Sequence, residues 1–244
     1  MLNLVRDIHC AGLCEQLQSE AYMDSARIAD LLSPFLACPL SEAQLTDISM
    51  YIDILIQWNQ KLNLTAVRDP EEIVTRHFGE SLFAAQHLFV GVGAGLRPAQ
   101  AEPSSALRVA DVGAGAGFPG LPIQIWAPEI HLTLIESNHK KGTFLREVVR
   151  SLGLANVEVF SGRAEELSEN SPDLVTLRAV ERFDSVLPVA ARLVAPSGRL
   201  ALFIGEKQSP RVRSLAPGFD WMDPLAIPLS SERVLLVGHR EYGA

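Results

Sequence analysis

The stretch that most constrains this chain runs from Arg108 to Glu136, RVADVGAGAGFPGLPIQIWAPEIHLTLIE. An apolar run (Val109, Ala110, Val112) leads into Gly113, Gly115, Gly117 and Gly120, an apolar segment follows, and a second short run, Leu132 to Ile135, stops at Glu136. That order reads as strand, glycine turn, helix, strand, acid, the opening of an α/β sheet that holds a nucleotide against its first turn. Glycines there take φ > 0 and leave no Cβ between the main chain and a ligand lying near the helix start. Pro119 suits the first helical position, where its missing N–H costs nothing. Glu136 follows the turn at the spacing of about 20 residues at which a carboxylate ending the second strand meets ribose hydroxyls.

The glycine spacing bears on the kind of nucleotide. A dinucleotide turn calls for G-x-G-x-x-G, which counted from Gly113 puts Phe118 where the third glycine belongs. The pattern G-x-G-x-G-F-P-G lacks a clear pyrophosphate cradle. It suits adenosine and ribose without phosphate, which points to S-adenosylmethionine. A tight turn with no ligand and an NAD site are the competing readings.

The chain has 244 residues, 48% hydrophobic and 20% charged, enough for one large domain with an appendage and a sizeable core. No apolar run approaches the roughly 18 residues of a membrane span, and Arg6, Asp7 and Glu15 break up the first segment, so neither a membrane partner nor a signal peptide is expected. Cys10, Cys14 and Cys38 form no C-x-x-C pair. Reduced thiols in a cytoplasmic protein are expected, with no metal, because His9, Cys10 and Cys14 lack further ligands at suitable spacing. A net charge of −8 excludes a tail that coats nucleic acid indiscriminately, and no DNA partner is expected. Any RNA contact must come from a local basic patch.

Residues 1–36 read as loosely helical, with a helix-like stretch from Asp24 to Leu32. Ser41 and Gln44 form a capping box before Leu45, Ile48, Ile52, Leu55 and Leu62 at helical spacing, and Asp69-Pro70-Glu71-Glu72 starts another helix through Ile73, Val74, His77, Leu82 and Ala85. The connector between them, Trp58 to Thr65, is dense in hydrogen-bonding side chains, which either fix a turn or face a ligand. Residues 91–107, rich in Gly, Ala, Pro and Ser, read as a linker. The expected organisation is a helical extension and cap over residues 1–90, that linker, and a nucleotide domain over 108–244.

Beyond Glu136 the alternation continues. Asn138 caps a helix with Phe144, Leu145 and Val148 on its apolar face, ended by Gly153; strands are expected at Val157 to Phe160, Asp173 to Leu177 and Arg199 to Ile204. Pro217 to Pro228 reads as a loop, and Arg233 to Val237 as a last strand whose short connection favours an antiparallel partner. The fold class expected is therefore α/β with a parallel sheet and helices on both faces.

Carbon-5 methylation of a pyrimidine needs an attacking cysteine, and none follows Cys38. Methylation of an exocyclic amine commonly uses a polar residue with Pro-Pro and an aromatic after the fourth strand, where this chain has Leu177-Arg178-Ala179-Val180. Guanine N7 already presents an in-plane lone pair, so alignment and exclusion of water suffice and no catalytic base is assigned. A ribose 2′-hydroxyl acceptor stays open on residue types alone. Arg178, at the carboxyl end of the sheet, can pair with the methionine carboxylate or an RNA phosphate. Ala164 and Glu165 stand where an adenine ring is met, though Glu165 and Glu166 equally read as exposed helix-start acids favoured by the dipole. His139-Lys140-Lys141 and Lys207 with Arg211 and Arg213 are candidate RNA-facing clusters or solvated helix faces.

The blocks W-N-x-x-x-N-L-T-A at Trp58 to Ala66, R-D-P-E-E at Arg68 to Glu72, R-H at Arg76-His77, D-V-G-A-G-A-G-F-P-G at Asp111 to Gly120 and R-A at Arg178-Ala179 together resemble the RsmG (GidB) family of 16S ribosomal RNA guanine-N7 methyltransferases. The resemblance implies a Rossmann-like class I methyltransferase whose seven-stranded, mostly parallel sheet has an antiparallel last strand behind a helical cap. It implies transfer of methyl from S-adenosylmethionine to a guanosine of the small-subunit decoding region, with the ribosomal RNA or the subunit as partner and a monomer sufficing. By matching position, cofactor contacts fall on Gly113, Phe118, Ala164, Glu165 and Arg178, with Glu136 on the ribose; Asn63, Arg76 and His77 match positions that face the site. Glu80 stands where the family has an aspartate, Leu177 replaces a small polar residue, and Ile204 replaces a lysine, leaving Lys207 or Arg211 to serve the RNA side. An RNA-binding or ribosome-assembly factor that keeps the fold without turnover is the alternative outside catalysis.

Overall fold

The computed structural model describes residues 23–89, 106–167, 171–179 and 182–241. The helical expectation for the first 22 residues and most of the linker expectation lie outside them. Five apolar runs form parallel strands: β1 (Arg108–Val112), β2 (His131–Ile135), β3 (Val157–Phe160), β4 (Leu174–Arg178) and β5 (Arg199–Gly205). β1 and β4 are buried at nearly every position because helices cover both faces, which is why they read as continuous apolar runs rather than alternations. The strand order β3-β2-β1-β4-β5 reverses between β1 and β4, the place where open α/β sheets bind ligands at the carboxyl ends of their strands.

Past β5 the sheet turns antiparallel. β6 (Phe219–Trp221), β7 (Leu225–Ala226) and β8 (Arg233–Arg240) complete it, with β8 between β5 and β6 and β7 pairing β8 off the main path. The seven strands along the main path are the expected mostly parallel sheet with its antiparallel close. The loop expected from Pro217 to Pro228 instead contains β6 and β7. Phe219 and Trp221 are buried around exposed Asp220, a two-residue alternation too short to register in sequence. Trp221 lies over Gly238 of β8, where any Cβ would come within 2.8 Å of the indole ring.

Four described helices precede the sheet. α1 (Ser25–Leu32) is capped by Asp24, whose carboxylate accepts from Arg27 N at 2.9 Å. α2 (Glu42–Leu62) carries the full Ser41–Gln44 capping box and ends on Asn63 in the left-handed region, φ 46°. α3 (Pro70–Ile73) starts on Asp69, which accepts from Glu72 N at 2.8 Å. It widens into a π-turn over Val74–Gly79 and resumes as α4 (Glu80–Leu88). The nucleotide half adds α5 (Gly120–Trp126), α6 (His139–Ser151), α7 (Phe183–Leu193) and α8 (Ser209–Leu215). Pro119 occupies the cap position just before α5 rather than its first turn.

Alternate residues of each strand feed two cores. Val109, Leu132, Leu134 and Phe203 join α1–α6 on one face, whereas Ala110, Val112, Ile135 and Leu202 join α7 and α8 on the other. The amino-terminal helices therefore bury their apolar faces in the same core as the sheet. Among the described residues, no helix is long and apolar enough to cross a membrane.

Candidate active site

At the carboxyl end of β1 the chain turns through Gly113, Gly115 and Gly117, all with positive φ (71°, 58° and 87°). Gly113 N and Ala114 N both donate to Ile135 O at the end of β2, at 2.9 and 3.0 Å, which ties the turn to the neighbouring strand. The glycines serve different ends. A Cβ on Gly117 would strike the Tyr51 hydroxyl and Leu121, whereas one on Gly115 would meet only Gly113 O at 3.6 Å. The main chain at Gly115 is thus bare toward open space.

Glu136, buried at the end of β2, accepts from Gly115 N at 2.9 Å through Oε2 and from Asn138 N at 2.7 Å through Oε1. One carboxylate thereby links the turn, the strand end and the start of α6. Asn138 caps α6 by accepting from Lys140 N and Lys141 N. After β3 comes a single 3₁₀ turn, Ala164–Glu166, with Ala164 buried and Glu165 exposed beside it.

The turn is held from behind by residues that pattern reading missed. Tyr51 of α2 is fully buried and its hydroxyl donates to Ala116 O. Its ring stacks on Phe118 with centroids 5.3 Å apart, and Phe118 also meets Phe78 at 5.2 Å and His77 at 4.7 Å. The Phe118 side chain thus packs into the amino-terminal helices. Asp111, inside β1, accepts from Gly120 N (3.0 Å) and Thr176 Oγ1 (2.8 Å), and burial raises its pKa to about 6. An acid inside an otherwise apolar strand run is the one signal that could have flagged it.

Arg178, at the end of β4, turns toward the π-turn. Nη2 donates to Arg76 O at 2.7 Å and lies 3.2 Å from His77 Nδ1, and Nη1 donates to His77 O at 3.4 Å. The same Nη2 is 3.1 Å from Oε2 of Glu80, whose side chain is only 2% exposed and whose Oε1 takes Arg233 Nη2 at 2.5 Å. Glu80 is thus the shared counter-ion of two guanidiniums. Burial, then the nearby Arg178, Arg76 and Arg233 charges, lower the His77 pKa to about 3, so the ring stays neutral.

The connector Trp58–Thr65 fixes a turn. Buried Asn59 accepts from Thr65 N at 3.0 Å and donates to Thr65 O at 3.1 Å. Asn63 is exposed and accepts from Arg68 Nη2 at 3.0 Å, and Arg76 pairs with Glu72 at 2.7 Å. Lys207 lies apart on the 3₁₀ turn after β5, 94% exposed and 3.9 Å from Glu232. Arg211 is held by Asp184, and Arg213 reaches Trp221 O and Met222 O, which leaves Lys207 as the freer cation of that cluster. A hollow of about 390 Å³, lined by Arg108, His131, Asn156 and others, lies at the amino ends of the strands, away from the glycine turn.

A β3-β2-β1-β4-β5 sheet with an antiparallel close, a glycine turn after β1 and an acid after β2 define an open Rossmann-like α/β fold whose ligand crevice lies at the carboxyl ends of the strands. The fold is that of a solved ribosomal protein L11 methylase from Lactobacillus delbrueckii subsp. bulgaricus, at TM-score 0.53 and 14% identity over 68% of this chain and 79% of that one. The family model described as rRNA small subunit methyltransferase G (GidB) matches residues 44–216, and the chain belongs to that family. Among its relatives are the ribosomal RNA small subunit methyltransferases G of Xanthomonas campestris pv. campestris (strain B100) and Xylella fastidiosa (strain M23). The first is 36% identical over 195 residues, 78% of this chain and 84% of that protein; the second is 37% identical over 202 residues, 81% and 88%.

Proposed function

We propose that this methyltransferase transfers a methyl group from S-adenosylmethionine to N7 of a guanosine in the decoding region of 16S ribosomal RNA. The observation that carries the donor side is the bare main chain at Gly115 beside the Glu136 carboxylate: a cradle that a side chain would fill, next to an acceptor for ribose hydroxyls. The donor set fits adenosine and ribose. Gly113 and Gly115 offer the peptide edge, Glu136 takes the ribose, and Ala164 with Glu165 receives the adenine, while Phe118 supports the turn through its ring. Bound there, S-adenosylmethionine supplies an electrophilic sulfonium methyl.

The chain's own part is to align and to exclude water. Guanine N7 carries its lone pair in the ring plane, so no proton has to leave before attack, and orientation alone is worth several kcal/mol. The buried ionisable groups accord with this. Asp111, Glu80 and Glu136 are committed to backbone and side-chain partners, and His77 is neutral with both ring nitrogens engaged. Asn63 and Arg76 offer an amide and a cation for RNA, with His77 bonded to Thr65 of the same connector, and Lys207, apart from them, offers a second cation. The protein is proposed to act in the cytoplasm, as a monomer, on the small subunit or its RNA.

Incubating the protein with methyl-labelled donor and undermethylated small subunits, then mapping the label, tests the proposal. Label on a single guanine that becomes sensitive to reductive strand cleavage is expected. Label on a ribose or exocyclic amine would overturn the N7 assignment, and donor binding without any transfer would favour the non-catalytic assembly factor.

A further inference from the structure

Among the described residues the most exposed large apolar side chain is Leu229, at 73%, ahead of Met222 and Met50. A singly exposed leucine is ordinary, but the backbone that holds this one is not. Leu229 has φ 58°, in the left-handed region. Pro228 precedes it and Ser230 N donates to Ile227 O at 3.2 Å, so Ile227–Ser230 is a β-turn of the type II pattern, with leucine where glycine or asparagine ordinarily sits. A leucine is strained there and persists because its surroundings over-determine it. Ile227 is buried and its N–H donates to Arg233 O at 3.1 Å, while Ser230 Oγ accepts from Arg233 N at 3.0 Å. The turn is thus pinned on both sides and presents an isobutyl group to solvent.

Its place in the fold is the carboxyl end of the sheet. The turn follows β7 and leads into β8, whose first residue, Arg233, pairs with Gly205 at the end of β5. Along β4-β5-β8-β7 it lies three strand spacings from β4, about 14 Å. Arg233 meets Glu80 Oε1 at 2.5 Å, the carboxylate that also meets Arg178 at the end of β4. Lys207, 94% exposed, stands 3.9 Å from Glu232 of the same connection. The strained leucine therefore borders the crevice beside a free cation.

N7 of guanine faces the major groove, which in A-form RNA is too deep and narrow for a protein to read. A stacked guanosine must leave its stack to reach a methyl held at the end of β1, and unstacking costs free energy. Apolar side chains, leucine among them, hold base steps apart in nucleic-acid complexes by filling the gap. We propose that Leu229 is such a finger: it enters the RNA stack beside the target guanosine and keeps that base unstacked, with Lys207 on a flanking phosphate. This rests on the RNA methyl transfer proposed above.

The test compares wild type with Leu229→Asn and Leu229→Met. Asparagine tolerates the left-handed backbone, so Leu229→Asn is expected to keep or raise the midpoint in urea and to keep the donor Kd. Its KM for undermethylated small subunits should rise about tenfold, the scale of withdrawing one leucine from an apolar contact. Leu229→Met, apolar again, should recover the wild-type KM. Wild-type KM in Leu229→Asn would overturn the proposal, as would a lowered urea midpoint, which would make Leu229 a support of the fold, or a Leu229→Met variant no better than Leu229→Asn. A photo-reactive diazirine side chain in place of Leu229, irradiated with the subunits, should join to a nucleotide next to the methylated guanosine. Joining to a ribosomal protein or to a second copy of the chain would overturn the finger and leave the activity untouched. Because that readout needs no turnover, protein that methylates nothing yet joins to RNA of the decoding region would defeat the function proposed above and leave the finger in place.

Discussion

Gly115 and Gly117 sit two residues apart in one turn and answer to different constraints. Gly117 combines φ 87° with a Tyr51 hydroxyl where its Cβ would go, so Gly117→Ala should cost about 3 kcal/mol from strain and overpacking together, seen as a lower midpoint in urea. Gly115→Ala faces open space and bears only the positive-φ strain of about 1 kcal/mol, but its methyl enters the proposed donor site. It should therefore weaken donor binding by more than Gly117→Ala does relative to the stability each loses, which paired calorimetric and urea titrations would show. Two buried groups make opposite demands on pH. Asp111 has a folded pKa of about 6 against 3.8, so its contribution is fully present below pH 3.8 and is lost as pH rises through about 6, about 3 kcal/mol in all. His77, lowered to about 3, contributes fully above its ordinary pKa of 6.5 and loses that contribution as pH falls toward 3. The two offset each other across the shared window. Asp111→Asn removes one side, so the stability of that variant should fall more steeply than wild type between pH 6 and pH 4; parallel curves would show that Asp111 does not titrate there.

At the level of elements, the helix starts were legible because their signals are local. The Ser41–Gln44 box, Asp69 and Asn138 each accept main-chain N–H bonds where their sequence places them, whereas Asp24, read as the first residue of its helix, is instead its cap. The π-turn was not legible. Thr75-Arg76-His77-Phe78-Gly79 carries an ordinary helical pattern, and its wider winding is matched to Arg178, which lies a hundred residues further along the chain. The Phe35 ring leaves no room for a Cβ on Gly79 and is equally remote in sequence. The Arg178–Glu80–Arg233 cluster belongs to the same class of feature. Glu80→Gln leaves two guanidiniums with no counter-ion and should cost about 3–5 kcal/mol, with the carboxyl end of the sheet and the π-turn losing amide-exchange protection together. Loss confined to one of them would show that the cluster does not join the two.

Over the whole molecule, the strand-turn-helix-strand-acid opening gave away the sheet, its switch point and the place of the site, because a parallel sheet leaves few alternatives once its first turn is known. The positions of Tyr51 and Phe118 against that turn were hidden, since they depend on helices arriving from another part of the chain. The proposed division into helical cap, linker and methyltransferase domain follows the change in chain pattern, whereas the larger hydrophobic core runs across it from Ile28 to Phe203. A fragment of residues 106–244 should therefore lack native near-ultraviolet dichroism and aggregate, and the full chain should melt in one transition; a soluble, cooperatively folded fragment would show that the helices are dispensable.

Glu136 bridges Gly115 and Asn138 with the same carboxylate that is proposed to take the ribose, and ribose and adenine are the parts of the donor that methyl transfer leaves untouched. The spent molecule would thus keep nearly every handle that seated the fresh one. Turnover should respond to the ratio of the two forms in the cell, slowing as the demethylated form accumulates even when the donor is plentiful.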